Sequence, residues 1–227
     1  AQVLGLSAFI QTETDGAFDI NYRAGGRPGR GRPAAAPRAL SKLVLVAHTG
    51  RGFEVIRLPG PVKGGLPGLD LDLGAVGKGY ALDAALAALK DWDIGNVLLH
   101  AGTSTALAAG PGPGGGGGGD GWPVGAGSSR GRTAGPGRII LKNRALSGSG
   151  TEVKGQHILD PRTGKPARGH LAAWAIHDVA AVSDAVSTAF MVMSTVQVEA
   201  FCAAHPDVWA LAVIDYGKCR AFNPDAI

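Results

Sequence analysis

Asp184 and Thr188 stand four residues apart in the run Val182-Ser183-Asp184-Ala185-Val186-Ser187-Thr188-Ala189-Phe190. On a helix that spacing puts a carboxylate and a hydroxyl on one face. Their neighbours are nearly all apolar, and burying such a pair needs a compensating partner. A hard divalent cation that keeps waters or phosphate oxygens in its shell is one such partner. A hydroxyl bonded back to its own helix is the other. A second segment, Asp70 to Asp83, reads as an acidic strand end, a glycine turn and a helix with Lys78 near its start. Free amide N–H groups and the positive end of a helix dipole suit phosphate oxygens. The spacing is not a P-loop, because Gly79 follows Lys78 where Ser or Thr belongs, nor is it G-x-G-x-x-G. Taken alone, it is equally a plain strand-to-helix turn.

His157 ends a short extended run ahead of Asp160-Pro161-Arg162-Thr163-Gly164, which has turn chemistry. A loop histidine can act as a general base or simply hold structure. His100-Ala101-Gly102-Thr103-Ser104 sits at a strand end, where small and hydroxyl residues suit a planar or phosphorylated ligand. Ser147-Gly148-Ser149-Gly150 reads as a further Gly/Ser turn that a ligand can approach.

Positioning these residues calls for a mixed α/β chain. Leu43-Val44-Leu45-Val46 and Phe53-Glu54-Val55-Ile56 read as strands around the turn Thr49-Gly50-Arg51-Gly52. Residues 80–89 carry Leu82, Leu86 and Leu89 at helical spacing. Residues 96–100 and 138–142 read as strands. A buried helix is predicted over 179–193 and a second over 195–204, stopped by Pro206. A last strand is predicted over 209–216.

The 227 residues suit a single domain, 1–227, whose 45% hydrophobic content is that of a globular chain. No run reaches the ~18 apolar residues of a membrane span, and no signal peptide is visible. Glycine is in excess, 37 residues, and two Gly/Pro-rich stretches, 24–37 and 111–119, are predicted as flexible loops. The first is rich in arginine, but no aromatic residue is interleaved, which argues against stacking on nucleic acid. The net charge of +4 suits a phosphate-bearing ligand. For Cys202 and Cys219 two separate buried thiols are favoured, with a disulfide between them the open alternative.

In this order the segments resemble the ApbE family, the FAD:protein FMN transferases. Asp72 to Asp83 matches D-L-G-[GA]-x-x-K-G-Y-A-x-D throughout, and His157 to Pro166 matches H-I-x-D-P-R-T-G-x-P throughout. Ser183 to Ala189 resembles A-D-A-L-[AS]-T-A, and Thr14 to Asp19 resembles T-x-G-A-F-D. The resemblance implies an α/β (α+β) fold related to the T-fold, with mixed sheets and packed helices. It implies FAD as substrate and Mg²⁺ against the FAD pyrophosphate. Asp184, Thr188 and the Ala75 carbonyl would be the metal ligands. Ala17, Phe18, Asp19, Asp72, Lys78, Gly102, Thr103, Ser149 and Gly150 would contact FAD, and His157 would be the base.

The implied reaction joins FMN to a threonine hydroxyl of an acceptor protein and releases AMP. Alternatives at the same site are FAD binding without transfer, and FAD hydrolysis to FMN and AMP. The resemblance also implies an acceptor with a short threonine motif, a membrane-associated acceptor being one option, and a periplasmic or cell-envelope location. It begins well inside the family's usual length, so a family N-terminal segment is expected to be lacking. Gly102-Thr103-Ser104 stands for the usual G-G-[DN], and Gly148-Ser149-Gly150 for Thr-Ser-Gly.

Overall fold

The computed structural model describes residues 2–25, 44–49, 52–57, 70–114, 121–127, 135–152 and 155–226. In chain order the elements are α1 (Gln2–Glu13), β1 (Val44–Thr49), β2 (Gly52–Arg57), α2 (Gly77–Lys90), β3 (Val97–Ala101), β4 (Thr105–Ala109), β5 (Trp122–Ala126), β6 (Gly137–Leu141), β7 (Ala145–Gly150), β8 (Ala172–His177), α3 (Ala180–Val192), α4 (Thr195–Ala204), β9 (Trp209–Asp215) and β10 (Lys218–Phe222). Six strands form one antiparallel sheet in the order β10-β9-β8-β7-β4-β3, and β1–β2 and β5–β6 are separate antiparallel pairs.

Side chains alternate between the two faces of a strand, and the two faces of this sheet differ in kind. On β8 and β9 one face presents Ala173, Ala175, Ala210 and Ala212, all fully buried. Their short side chains let α3 lie close, and α1 and α4 complete that core around Phe190, Val198 and Phe201. The opposite face presents Trp174, Ile176, Trp209 and Leu211, covered by Val124, Ile139 and Leu141 of the β5–β6 pair. α2 packs against α3 and β4 through Leu82, Leu107 and Ala180. The α2–α3 crossing is tight, since a Cβ at Gly79 would overlap the Ala180 backbone. Beside it, Asp83 accepts hydrogen bonds from the Ala180 and Ala181 N–H groups, both at 2.9 Å. That carboxylate from α2 satisfies two of the donors that open α3.

The predicted helices and strands of the C-terminal half lie within a residue or two of their expected ends, and α4 is as predicted. α2 starts three residues earlier than the leucine spacing suggested, at Gly77. Ser147-Gly148-Ser149-Gly150 is not a turn but the end of β7, paired to β4 and β8. Composition misleads there, because register with β8 along the whole segment, and with β4 at Ser147, fixes residues that have no strand propensity of their own. The alanine-rich β4 and β8 are buried strands that no alternating pattern announced. α1, β5 and β10 are likewise additional to the predicted elements. Both cysteines are free, Cys202 buried and Cys219 exposed, so the expectation of two buried thiols fails at Cys219. Of the two predicted loops, residues 26–37 and 115–119 lie outside the described residues, as do Leu43, Gly50 and Arg51. Gly112 is clasped by Asn96, whose amide donates to its carbonyl at 3.1 Å and accepts its N–H at 2.8 Å. Among the described residues no helix is long and apolar enough to cross a membrane.

Candidate active site

A cavity of about 920 Å³ opens at the end of the six-stranded sheet where β3 turns into β4 and β7 ends. That is the upper part of the usual range for small-molecule sites. Its walls come from several separate places in the chain. The turn after α1 supplies Ala17, Phe18 and Asp19, and the approach to α2 supplies Asp72, Ala75 and Lys78. Gly102 and Thr103 come from the β3–β4 turn, and Ser149 and Gly150 from the end of β7. His157 and Thr188 complete the set. All the residues singled out above therefore line this cavity except Asp184, which lies immediately behind Lys78.

Local sequence explains these placements. α1 ends because Asp15 and Gly16 take positive φ, 49° and 72°, and the Gly16 N–H returns to the Gln11 carbonyl at 2.9 Å. Thr14 Oγ1 accepts the Phe18 N–H at 3.2 Å and so shapes the turn that follows. Asp19 is buried and accepts the Asn21 N–H at 2.7 Å. Burial raises its carboxyl above the usual range, partly offset by the Asn21 N–H and the Gln11 side chain. Asn21 in turn accepts the Asp70 N–H at 2.9 Å, and the Asp72 N–H reaches the Ile20 carbonyl at 2.7 Å. The two acidic segments are thus stitched side by side.

Asp72 receives the Gly74 N–H at 2.8 Å, the Tyr22 hydroxyl at 3.0 Å and the Arg23 guanidinium at 2.6 Å. Partial burial pushes its carboxyl up, but these three donors outweigh that and hold it below the usual value. Tyr22 and Arg23 were not foreseen, since neither belongs to a motif.

Asp184 is 3% exposed. Lys78 Nζ lies 3.0 Å from its Oδ1, Thr105 Oγ1 donates to the same oxygen at 3.2 Å, and the Gly79 N–H donates to Oδ2 at 3.1 Å. The Gly79 amide is one that a regular helix would direct at Ala75. Its diversion leaves the Ala75 carbonyl with no hydrogen bond from a described residue. A layer of hydroxyls continues from there. Ser147 Oγ donates to Thr105 Oγ1 at 3.4 Å, and Ser149 Oγ lies 3.1 Å from both Ser187 Oγ and Thr188 Oγ1. Thr188 also bonds back to the Asp184 carbonyl, but at a longer 3.4 Å. Thr105 is not among the expected residues; Ser147 belongs to the Gly/Ser run read above as open to a ligand, and Ser187 is a polar residue beside Thr188 on a greasy helix.

His157 is exposed at the cavity rim, and its Nδ1 lies 3.0 Å from the Gly155 carbonyl. A carbonyl only accepts, so Nδ1 carries the proton in that bond, and in the neutral ring Nε2 is the nitrogen with the lone pair. Beyond it, Asp160 accepts the Arg162 N–H and guanidinium, both at 2.9 Å, which closes the Asp-Pro-Arg-Thr-Gly turn with Gly164 at φ 68°.

The profile of the ApbE family matches residues 1–212. The chain belongs to the ApbE family. It is 34% identical over 135 residues to an FAD:protein FMN transferase of Rhodobacter capsulatus, a match covering 58% of this chain and 25% of that relative. The aligned part thus spans about a quarter of the curated relative's length. The ApbE protein of Thermotoga maritima superposes with a TM-score of 0.70 at 26% identity, covering 97% of this chain and 74% of that one. The apo flavinyl transferase ApbE of Pseudomonas stutzeri gives 0.71 at 21% identity over 97% of this chain and 71% of the other, a likeness of fold.

The ApbE motifs therefore meet at one end of one sheet, and their donor chemistry can be tested against a metal. Asp184, Thr188 and the Ala75 carbonyl offer one carboxylate and two neutral oxygens. Among the described residues no three His, Cys, Asp or Glu side chains come together. A donor set of this kind fits a hard divalent cation that completes its shell with water and phosphate oxygens, as Mg²⁺ does.

Proposed function

We propose that this chain, as a single ApbE-like unit, is an FAD:protein FMN transferase, moving FMN from FAD to a threonine hydroxyl of an acceptor protein. The observation that carries the reading is the meeting of Lys78, Thr188, Ser149 and His157 in one cavity, with Asp184 behind them. In the reaction the acceptor oxygen attacks the FMN-side phosphorus. A phosphoester bond forms, the P–O bond to AMP breaks, and AMP leaves with the electron pair.

This chain's residues have separable tasks. His157 Nε2 accepts the proton of the attacking hydroxyl. Lys78 offsets charge on the diphosphate and on the departing AMP. Ser149, Thr103 and the turn at Ala17, Phe18 and Asp19 orient the dinucleotide, and Asp72 holds that turn beside the Lys78 corner. Asp184, Thr188 and the Ala75 carbonyl would hold Mg²⁺, which, when bound, offsets diphosphate charge.

The test is incubation of the protein with FAD, Mg²⁺ and a threonine-bearing acceptor peptide, read by mass spectrometry and by AMP release. Flavinylated peptide and AMP in equal amounts are expected. AMP and FMN without flavinylated peptide would make the chain a pyrophosphatase, and neither product would leave it a binding protein.

A further inference from the structure

The cavity has two unlike sides, and the hydroxyl layer described above occupies only one of them. Thr105, Ser147 and Ser149 face α3, whereas Ala106, Leu146, Gly148 and Ala172 alternate to the other face, towards β5. Leu146, Ala172, Val124 and Trp174 line the cavity from that second side. Gly148 and Trp174 are direct cross-strand partners. A Cβ at Gly148 would come 2.6 Å from Trp174 Nε1 and 2.8 Å from Cδ1, closer than real contacts allow. The absence of a side chain at Gly148 is therefore what admits the indole. Trp174 is 8% exposed, its remaining surface belongs to the cavity wall, and its Nε1–H meets no hydrogen-bonding partner among the described residues.

We infer that Trp174, seated over Gly148, is a ring-binding residue: with Leu146, Ala172 and Val124 it takes a planar heteroaromatic ring of the ligand whose diphosphate lies on the α3 side. An apolar pocket lined by an indole with an unspent donor matches a flat ring that carries acceptor atoms. The inference rests on the dinucleotide reading above. FAD brings two such rings, isoalloxazine and adenine, and the structure assigns their shared chemistry to this wall.

The test is calorimetric titration of wild type, Trp174→Leu and Trp174→Phe with FAD, FMN and ADP, each with Mg²⁺. Trp174→Leu is expected to weaken FAD at least about fivefold, the lower end of what aromatic stacking contributes per base. Trp174→Phe, which keeps a ring, should recover most of the loss. A parallel loss for FMN assigns the isoalloxazine to this wall, and a parallel loss for ADP assigns the adenine. Wild-type binding of FAD with an unchanged affinity in Trp174→Leu overturns this inference and leaves the transferase reading standing. Failure of the wild type to bind any of the three overturns both. Should Trp174→Leu not fold, ¹⁹F spectra of the fluorotryptophan-labelled wild type decide the matter. The Trp174 signal must move on FAD addition well beyond that of Trp92, which is 80% exposed and outside the cavity. Equal movement overturns the inference.

Discussion

Lys78 and Asp184 form an ion pair whose two ends are unequally placed: the carboxylate side chain is 5% exposed and the ammonium side chain 36%. The lysine can turn to water if its partner is lost, whereas the carboxylate cannot. Removing Lys78 therefore strands a buried charge on Thr105 and the Gly79 N–H alone. Lys78→Met should cost about 2–3 kcal/mol of stability, more than Asp184→Asn. Mg²⁺ should then raise the melting temperature of Lys78→Met by more than it raises that of wild type. Equal shifts in the two proteins would rule out Asp184 as a cation ligand.

The α2–α3 crossing makes a second prediction. Asp83→Ala removes the acceptor for two N–H groups and should cost about 1–2 kcal/mol. Gly79→Ala forces the helices apart and should cost about 3 kcal/mol or more. Urea unfolding measures both. A Gly79→Ala protein as stable as wild type would show that the crossing is loose.

His157→Gln should lower the transfer rate by about 10²–10⁴, the usual contribution of a general base. Its affinity for FAD should stay close to wild type, because the role proposed for the imidazole is at the acceptor hydroxyl and not at the dinucleotide. Single-turnover transfer and FAD titration separate the two quantities; a rate within a fewfold of wild type removes His157 from the chemistry.

His170 is buried, with Nδ1 2.6 Å from the Phe190 carbonyl and Nε2 3.1 Å from Thr195 Oγ1. Burial lowers its pKa, only partly countered by the Phe190 carbonyl. Below about pH 6.5 the unfolded chain takes up a proton that the folded imidazole still refuses, so stability falls as the pH drops through that window. Wild type should lose more stability between pH 7 and 5.5 than His170→Gln does. Parallel losses in denaturant titrations would contradict this.

The thiols should differ sharply. Burial pushes Cys202 up to about 12, while Cys219 is exposed. A thiol reagent at pH 8 should label Cys219 in the folded protein and Cys202 only after unfolding. Peptide mapping of the adduct gives the answer.

Much of the site could be read from the chain because its residues sit in short runs with fixed chemistry. The Lys78 turn, the Asp184/Thr188 spacing and the His157 loop each state a local geometry that tertiary packing leaves intact. The sheet between them was far less legible. β4 and β8 are alanine-rich, and alanine there is chosen for the thickness of the gap to α3, not for strand propensity. β7 was mistaken for a turn because Gly148 answers to Trp174, 26 positions along the chain. Tyr22, Arg23 and Thr105 act through partners on distant segments, which local pattern cannot reveal.

Since neighbouring side chains of one strand lean to a hydroxyl-rich side and a greasy side of the same cavity, the two sides are free to diverge separately. Substitutions at Ala172 or Trp174 on β8 can reshape the greasy wall while Thr105, Ser147 and Ser149, on the α3 side, carry on unaltered.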